Sequence, residues 1–202
     1  MTWADFIVGS DPPAAARATA ARAVLDTVGV TLAGASEPAA QAVQRVVAAE
    51  GSGPCRILGT RACAGAANAA LANGTAAHAH DYDDMCFVSL AHPSAPLVAC
   101  ALAAAELAGA SGRALLDAYV VGFELEGRIG RALNPRHYQH GWHCTSTIGT
   151  MGAAAAACRV LGLDRDAAQQ AMLIAASEAS GLKGNFGSMV KPLHAGLAAR
   201  SG

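Results

Sequence analysis

About one residue in four is alanine, and only 4% are aromatic. Alanine is the best helix former, whereas strands draw on β-branched and aromatic side chains that cover a pleated surface. The chain is therefore expected to be all-α, with helices that approach closely because so many side chains are a single methyl group. Its 202 residues suffice for one domain with a substantial core.

Punctuation marks the helices. Pro12 and Pro13 open a run that places Val24, Val28, Thr31 and Leu32 on one face and closes at Gly34. Pro38 starts a second, with Val43, Val46 and Val47 as its apolar stripe, and Gly51 to Pro54 breaks it. Residues 55–58, CRIL, suit a short extended piece, and alanine-rich helix resumes from Arg61 through Asn68 and Leu71. Pro96 begins another helix. Ser111-Gly112 separates it from a long amphipathic one reaching about Leu133, and the two read as an antiparallel pair. Helices follow from about Thr145 to Leu161 and, capped by Asp164, from Asp166 to about Ser180. Six to nine helices are expected, with no sheet beyond a short pair.

A net charge of −1 and a pI near 6.6, with the arginines scattered, provide no basic face for nucleic acid or anionic membrane. The N-terminus MTWADFIVGSD has no leader pattern, and the most apolar segment, Ala95 to Ala105, is too short to span a bilayer. The expectation is a soluble cytoplasmic protein. Six cysteines form no C-x-x-C pair or zinc-type cluster, and they read as buried reduced thiols. An iron–sulfur centre would need several of them converging, so no cofactor is expected.

Three stretches carry all seven histidines: Asn73 to Pro96 (NGTAAHAHDYDDMCFVSLAHPSAP), His137 to Thr145 (HYQHGWHCT) and Gly181 to Gly196 (GLKGNFGSMVKPLHAG). The last also holds both lysines, Lys183 and Lys191. His78 and His80 invite a metal reading, but at the end of a helix positions two apart point about 200° away from each other. Capping and hydrogen bonding, or a metal-free substrate site, are the alternatives. Asp81, Asp83 and Asp84 read as a solvated turn or as a carboxylate cluster that orients a histidine. His92 precedes Pro93 and so sits at a helix entrance. His143 is followed by Thr145 and Ser146, which read as N-caps, and a helix N-terminus there would favour a carboxylate. Lys191 lies on a glycine-rich loop within three residues of His194, and His137, His140 and Lys183 read as surface.

In their order and spacing, NGTAAHAHDYDD followed by HPSAP, then GWHCTSTIG, then GSMVKPLHAG resemble the MmgE/PrpD family, from about Thr19 onward. That family includes 2-methylcitrate dehydratase, cis-aconitate decarboxylase and iminodisuccinate epimerase. The resemblance implies the family's N-terminal helical domain over 1–202. By it, His92 and His143 match catalytic histidines and Lys191 an active-site lysine. Asp81 is the aspartate that borders the site, and His194 supports from behind. The implied activity is that of a metal-free lyase on a di- or tricarboxylate, such as dehydration of a 2-methylcitrate or aconitate-like acid. Decarboxylation, epimerisation or a non-catalytic helical binding module are the alternatives. Family members are about twice this length and add an α+β lid domain absent here, so a fragment needing that C-terminal domain is expected, with homodimerisation. Met85, where threonine is frequent, and His80, where an apolar residue is usual, depart from the pattern.

Overall fold

The computed structural model describes residues 2–202, which form ten α-helices and one two-stranded β pair. In chain order these are α1 Trp3–Gly9, α2 Ala14–Gly34, α3 Pro38–Ala49, β1 Cys55–Arg56, β2 Cys63–Ala64, α4 Ala66–Ala77, α5 Ser94–Ala108, α6 Gly112–Leu133, α7 Arg136–Gln139, α8 Cys144–Val160, α9 Arg165–Glu178 and α10 Val190–Ser201. The all-α class read from composition stands. The count exceeds six to nine partly because α1 and α7 are too short to show a period. α1 is held by a capping box, in which Asp5 N donates to Thr2 Oγ1 and Thr2 N to Asp5 Oδ2.

The centre is built from α4, α5, α8 and α10, packed against one another, with α6 laid across α8. Ala69 to Ala77 and Cys144 to Thr150 are continuously buried, so these segments have no solvent face. α2 and α3 flank α4, while α1 and α9 flank α8. Small residues permit the closeness. A Cβ on Gly74 of α4 would stand 3.0 Å from the Ala195 carbonyl of α10, and one on Gly196 would meet Thr75 and the Leu71 carbonyl. The backbones of α4 and α10 therefore touch, and that contact fixes the end of α4 against the start of α10.

Four expectations need correction. The buried face of α2 is Ala20, Thr27, Thr31 and Gly34, and Leu32 is 51% exposed. Thr27 and Thr31 satisfy their hydroxyls on the carbonyls of Ala23 and Thr27, so a polar residue can face a close neighbour at little cost. Val46 is 56% exposed for a similar reason, since Val43 and Val47 already carry the seam. α4 begins at Ala66, later than Arg61, because Cys63 and Ala64 pair with Arg56 and Cys55. Cys55, Cys100, Cys144 and Cys158 are buried free thiols, but Cys63 on the β pair is exposed. Among the described residues, no helix is long and apolar enough to cross a membrane.

Candidate functional site

α4 ends at His78, whose ring is buried at 1% exposure. Three residues later Asp81 adopts φ 59°, the left-handed conformation that aspartate tolerates better than most residues. This turn folds the chain back, and Asp83 returns to His78 with its two carboxylate oxygens 2.8 and 3.0 Å from His78 Nδ1. Asp84 accepts from Ser94 N at 3.0 Å and from Ser94 Oγ at 2.6 Å, and Tyr119 completes the chain by donating to Ser94 Oγ at 2.7 Å. The loop is thereby fastened to the first turn of α5.

His92, immediately before that turn, donates its backbone N–H to Thr145 Oγ1 at 2.9 Å. The starts of α5 and α8 are thus tied side by side. The His92 ring lies 4.8 Å from that of His78, with Nε2 3.6 Å from Asp81 Oδ1 and Nδ1 3.5 Å from Asp83 Oδ1. His143 is itself the N-cap of α8, anchored by its N–H to the Gly181 carbonyl at 3.0 Å. Gly181 is required there, since it has φ 117° and a Cβ would stand 2.6 Å from Ser146 Cβ. The His143 ring stacks on His78 at 5.8 Å, meets Phe186 edge-on at 4.8 Å, and shares a 3.0 Å hydrogen bond between its Nδ1 and that of His194. From α10, the Lys191 ammonium ion-pairs with Asp81 and lies 5.5 Å from the Phe186 ring centre.

His92, His143, Lys191, Asp81 and His194 therefore converge, around a hub that the sequence reading did not nominate, His78 with Asp83. Asp83 was passed over in favour of Asp81, yet it is the buried partner of one imidazole and faces a second. Lys191 sits in the first turn of α10, not on a loop, so its position is set by helix packing. Thr145 and Ser146 are not caps: their hydroxyls serve the His92 N–H and the His194 carbonyl. His137 is half-buried, 2.7 Å from Thr147 Oγ1 and stacked on Trp142, and Lys183 is half-buried, donating to the Tyr138 carbonyl at 3.1 Å. Both readings as free surface are corrected; His140 is exposed as expected.

Charge divides the cluster. Burial alone would raise Asp83, but its hydrogen bonds to His78 and its attraction to His78 and His92 bring it down to about 2. Burial would likewise raise Asp81, and Lys191 holds it below the usual range. For His92, burial favours the neutral ring, yet Asp83 and Asp81 outweigh it and raise its proton affinity. His143 has no carboxylate. Burial, reinforced by His78, His194, Lys191 and His92, lowers it to about 3, and burial lowers His194 as well. The arrangement therefore offers a fixed cation, a histidine inclined to hold a proton and a histidine held neutral. Four residues also have metal-ligand character: donor atoms of His78, Asp81, Asp83 and His92 lie within 4.8 Å of one another. Spacing correctly separates His78 from His80, but it does not show the donors that the turn at Asp81 brings in.

The tight helical scaffold gathers lysine, histidine and carboxylate at the ends of four helices, α4, α5, α8 and α10. The chain belongs to the MmgE/PrpD family, whose N-terminal domain it matches over residues 2–202. It is 31% identical over 208 residues to a cis-aconitate decarboxylase of Aspergillus terreus, covering 99% of this chain and 42% of that protein. A cis-aconitate decarboxylase-like protein of Aspergillus oryzae is 32% identical over 210 residues, covering 99% of this chain and 44% of that protein. The human cis-aconitate decarboxylase is 37% identical over 139 residues, 66% of this chain and 29% of that protein. The chain spans less than half the length of these curated relatives.

Proposed function

We propose that this chain supplies the acid–base and carboxylate-binding half of a lyase acting on an aconitate-like tricarboxylate. The observation that carries the reading is the convergence of Lys191 and two histidines of opposite proton affinity around His78. Loss of carbon dioxide, or of a proton, next to a carboxylate leaves an electron pair that spreads into that carboxylate. The Lys191 ammonium offsets the developing charge where a dication would otherwise be needed, which supports a metal-free reaction. In decarboxylation the electron pair left by carbon dioxide takes its proton from His92, which is inclined to hold one, while neutral His143, its ring oriented by His194, would accept a proton only in the dehydration or epimerisation alternatives. Asp81 holds the ammonium in place until substrate displaces it. Decarboxylation is favoured over dehydration or epimerisation by the names of the relatives.

Completion by a second domain is part of the same proposal. The loop around Asp81 exposes Tyr82, Met85, Phe87 and Val88, and the segment entering α10 exposes Leu182, Phe186, Met189 and Val190. Such an apolar rim beside a polar site suits a docking surface. The test is release of carbon dioxide from cis-aconitate by this chain alone and with the C-terminal part of a relative supplied. Turnover should require both parts and survive a chelator. His143→Ala or Lys191→Ala should lower it on the order of a hundredfold or more, and His137→Ala should do little. Binding without turnover in the completed protein would instead favour a non-catalytic helical module.

A further inference from the structure

We propose that the corner formed by His78, Asp81, Asp83 and His92 also binds a transition-metal dication, zinc above all, and that this ion inhibits by displacing Lys191. The inhibitory half rests on the function proposed above; the binding half does not. Zinc bound tetrahedrally at 2.0 to 2.2 Å from nitrogen and oxygen requires donors about 3.3 Å apart. Here His78 Nδ1 lies 3.0 Å from Asp83 Oδ1 and 3.8 Å from Asp81 Oδ1. His92 offers a single nitrogen to one ion, and its Nδ1 stands 3.5 Å from Asp83 Oδ1. With one donor atom from each residue, the four lie within 4.8 Å of one another, so side-chain rotations would draw them in to the tetrahedral edge.

Two further features point to a ligand. The His92 Nδ1 atom is buried without a hydrogen-bond partner while facing the Asp83 carboxylate, leaving a gap that an ion would close. Two imidazoles and two carboxylates also match zinc in softness and balance its charge, whereas magnesium and calcium prefer oxygen alone. His78 and Asp83 are buried and fixed by their mutual hydrogen bonds, and the more exposed Asp81 and His92 form the solvent side through which an ion enters. The opposing charge is the Lys191 ammonium on Asp81. Metal and ammonium compete for the same oxygen, so the ion would remove His92 and Lys191 from catalysis together.

The test titrates the chain with zinc chloride by calorimetry and with cobalt(II) as a coloured substitute. One ion per chain is expected, with visible bands of tetrahedral cobalt and no thiolate charge-transfer band. Asp83→Asn should weaken binding by more than the roughly 10–100-fold typical of losing an outer partner of a ligand. If circular dichroism shows that variant unfolded, Asp81→Asn takes its place and should weaken binding at least about tenfold. Lys191→Met should tighten it, and Cys63→Ser should leave it unchanged. Absence of binding at millimolar metal, a thiolate band, or indifference to Lys191→Met would overturn the site. Stoichiometric binding that leaves turnover of the completed enzyme intact would overturn the inhibition and the catalytic placement of His92, but not the metal site.

Discussion

Two histidines of one cluster, His92 and His143, each touch the ring of His78 and yet sit in opposite electrostatic settings. On the α4–α5 side, Asp81 and Asp83 outweigh the cost of burial, and His92 is inclined to carry a proton. On the α8–α10 side there is no carboxylate, only burial and other cations, and His143 is held neutral. The difference teaches that the chain sets proton affinity by which helix end delivers an aspartate, not by residue type. Two imidazoles of opposite proton affinity packed against one ring are a pairing that the function proposed above can use.

The charged side is the one to break first. Asp83→Ala leaves the buried His78 Nδ1 unpartnered and removes the main anion facing His92. A loss of about 3 kcal/mol in denaturant unfolding is expected, together with a fall in the proton affinity of His92. Stability unchanged within experimental error would mean that the His78–Asp83 pair is incidental.

The neutral side is sharpened by acid. His143 is depressed in the folded state, so below about pH 6.5 the unfolded chain takes up a proton that the folded chain refuses, and stability falls as pH falls toward 3. His92 runs the other way: its raised affinity contributes stability that is full below pH 6.5 and is lost as pH rises through its folded value. Comparing each protein at pH 6.5 and 5.5, the parent chain should lose about 1 kcal/mol more than His143→Asn. Parallel pH–stability curves for the two would contradict the assignment.

The smallest effect belongs to Asp81, which is 54% exposed at its side chain. Asp81→Asn should change stability by less than about 1 kcal/mol, as for solvent-facing ion pairs in general. It should still lower the His92 proton affinity and free Lys191, which a shifted lysine ammonium resonance would report. An unmoved resonance would show that the pair is not formed in solution.

Much of this was legible in the sequence where a signal is local. Pro38 marks the start of α3, Asp164 caps α9, and the His92-Pro93 step lies at the entrance to α5. The ordered motifs also nominated His92, His143, Lys191, Asp81 and His194, which the fold brings together. What stayed hidden depends on conformation or on distance along the chain. Asp83 reaches His78 only because Asp81 turns left-handed, and no residue pattern announces a positive φ at an aspartate. The Thr145 hydroxyl looks like a cap in sequence, whereas it serves a backbone N–H 53 residues away. Leu32 looks like core, but a glycine and threonine face packs closer to α4 than a leucine could.

The most direct test is a pH titration of nitrogen-15-labelled histidine by NMR, with His92 and His143 assigned by substitution. The account predicts that His92 titrates above pH 6.5, while His143 remains a neutral tautomer through pH 4.5. Both rings titrating together near 6.5, or His143 taking its proton before His92, would contradict it.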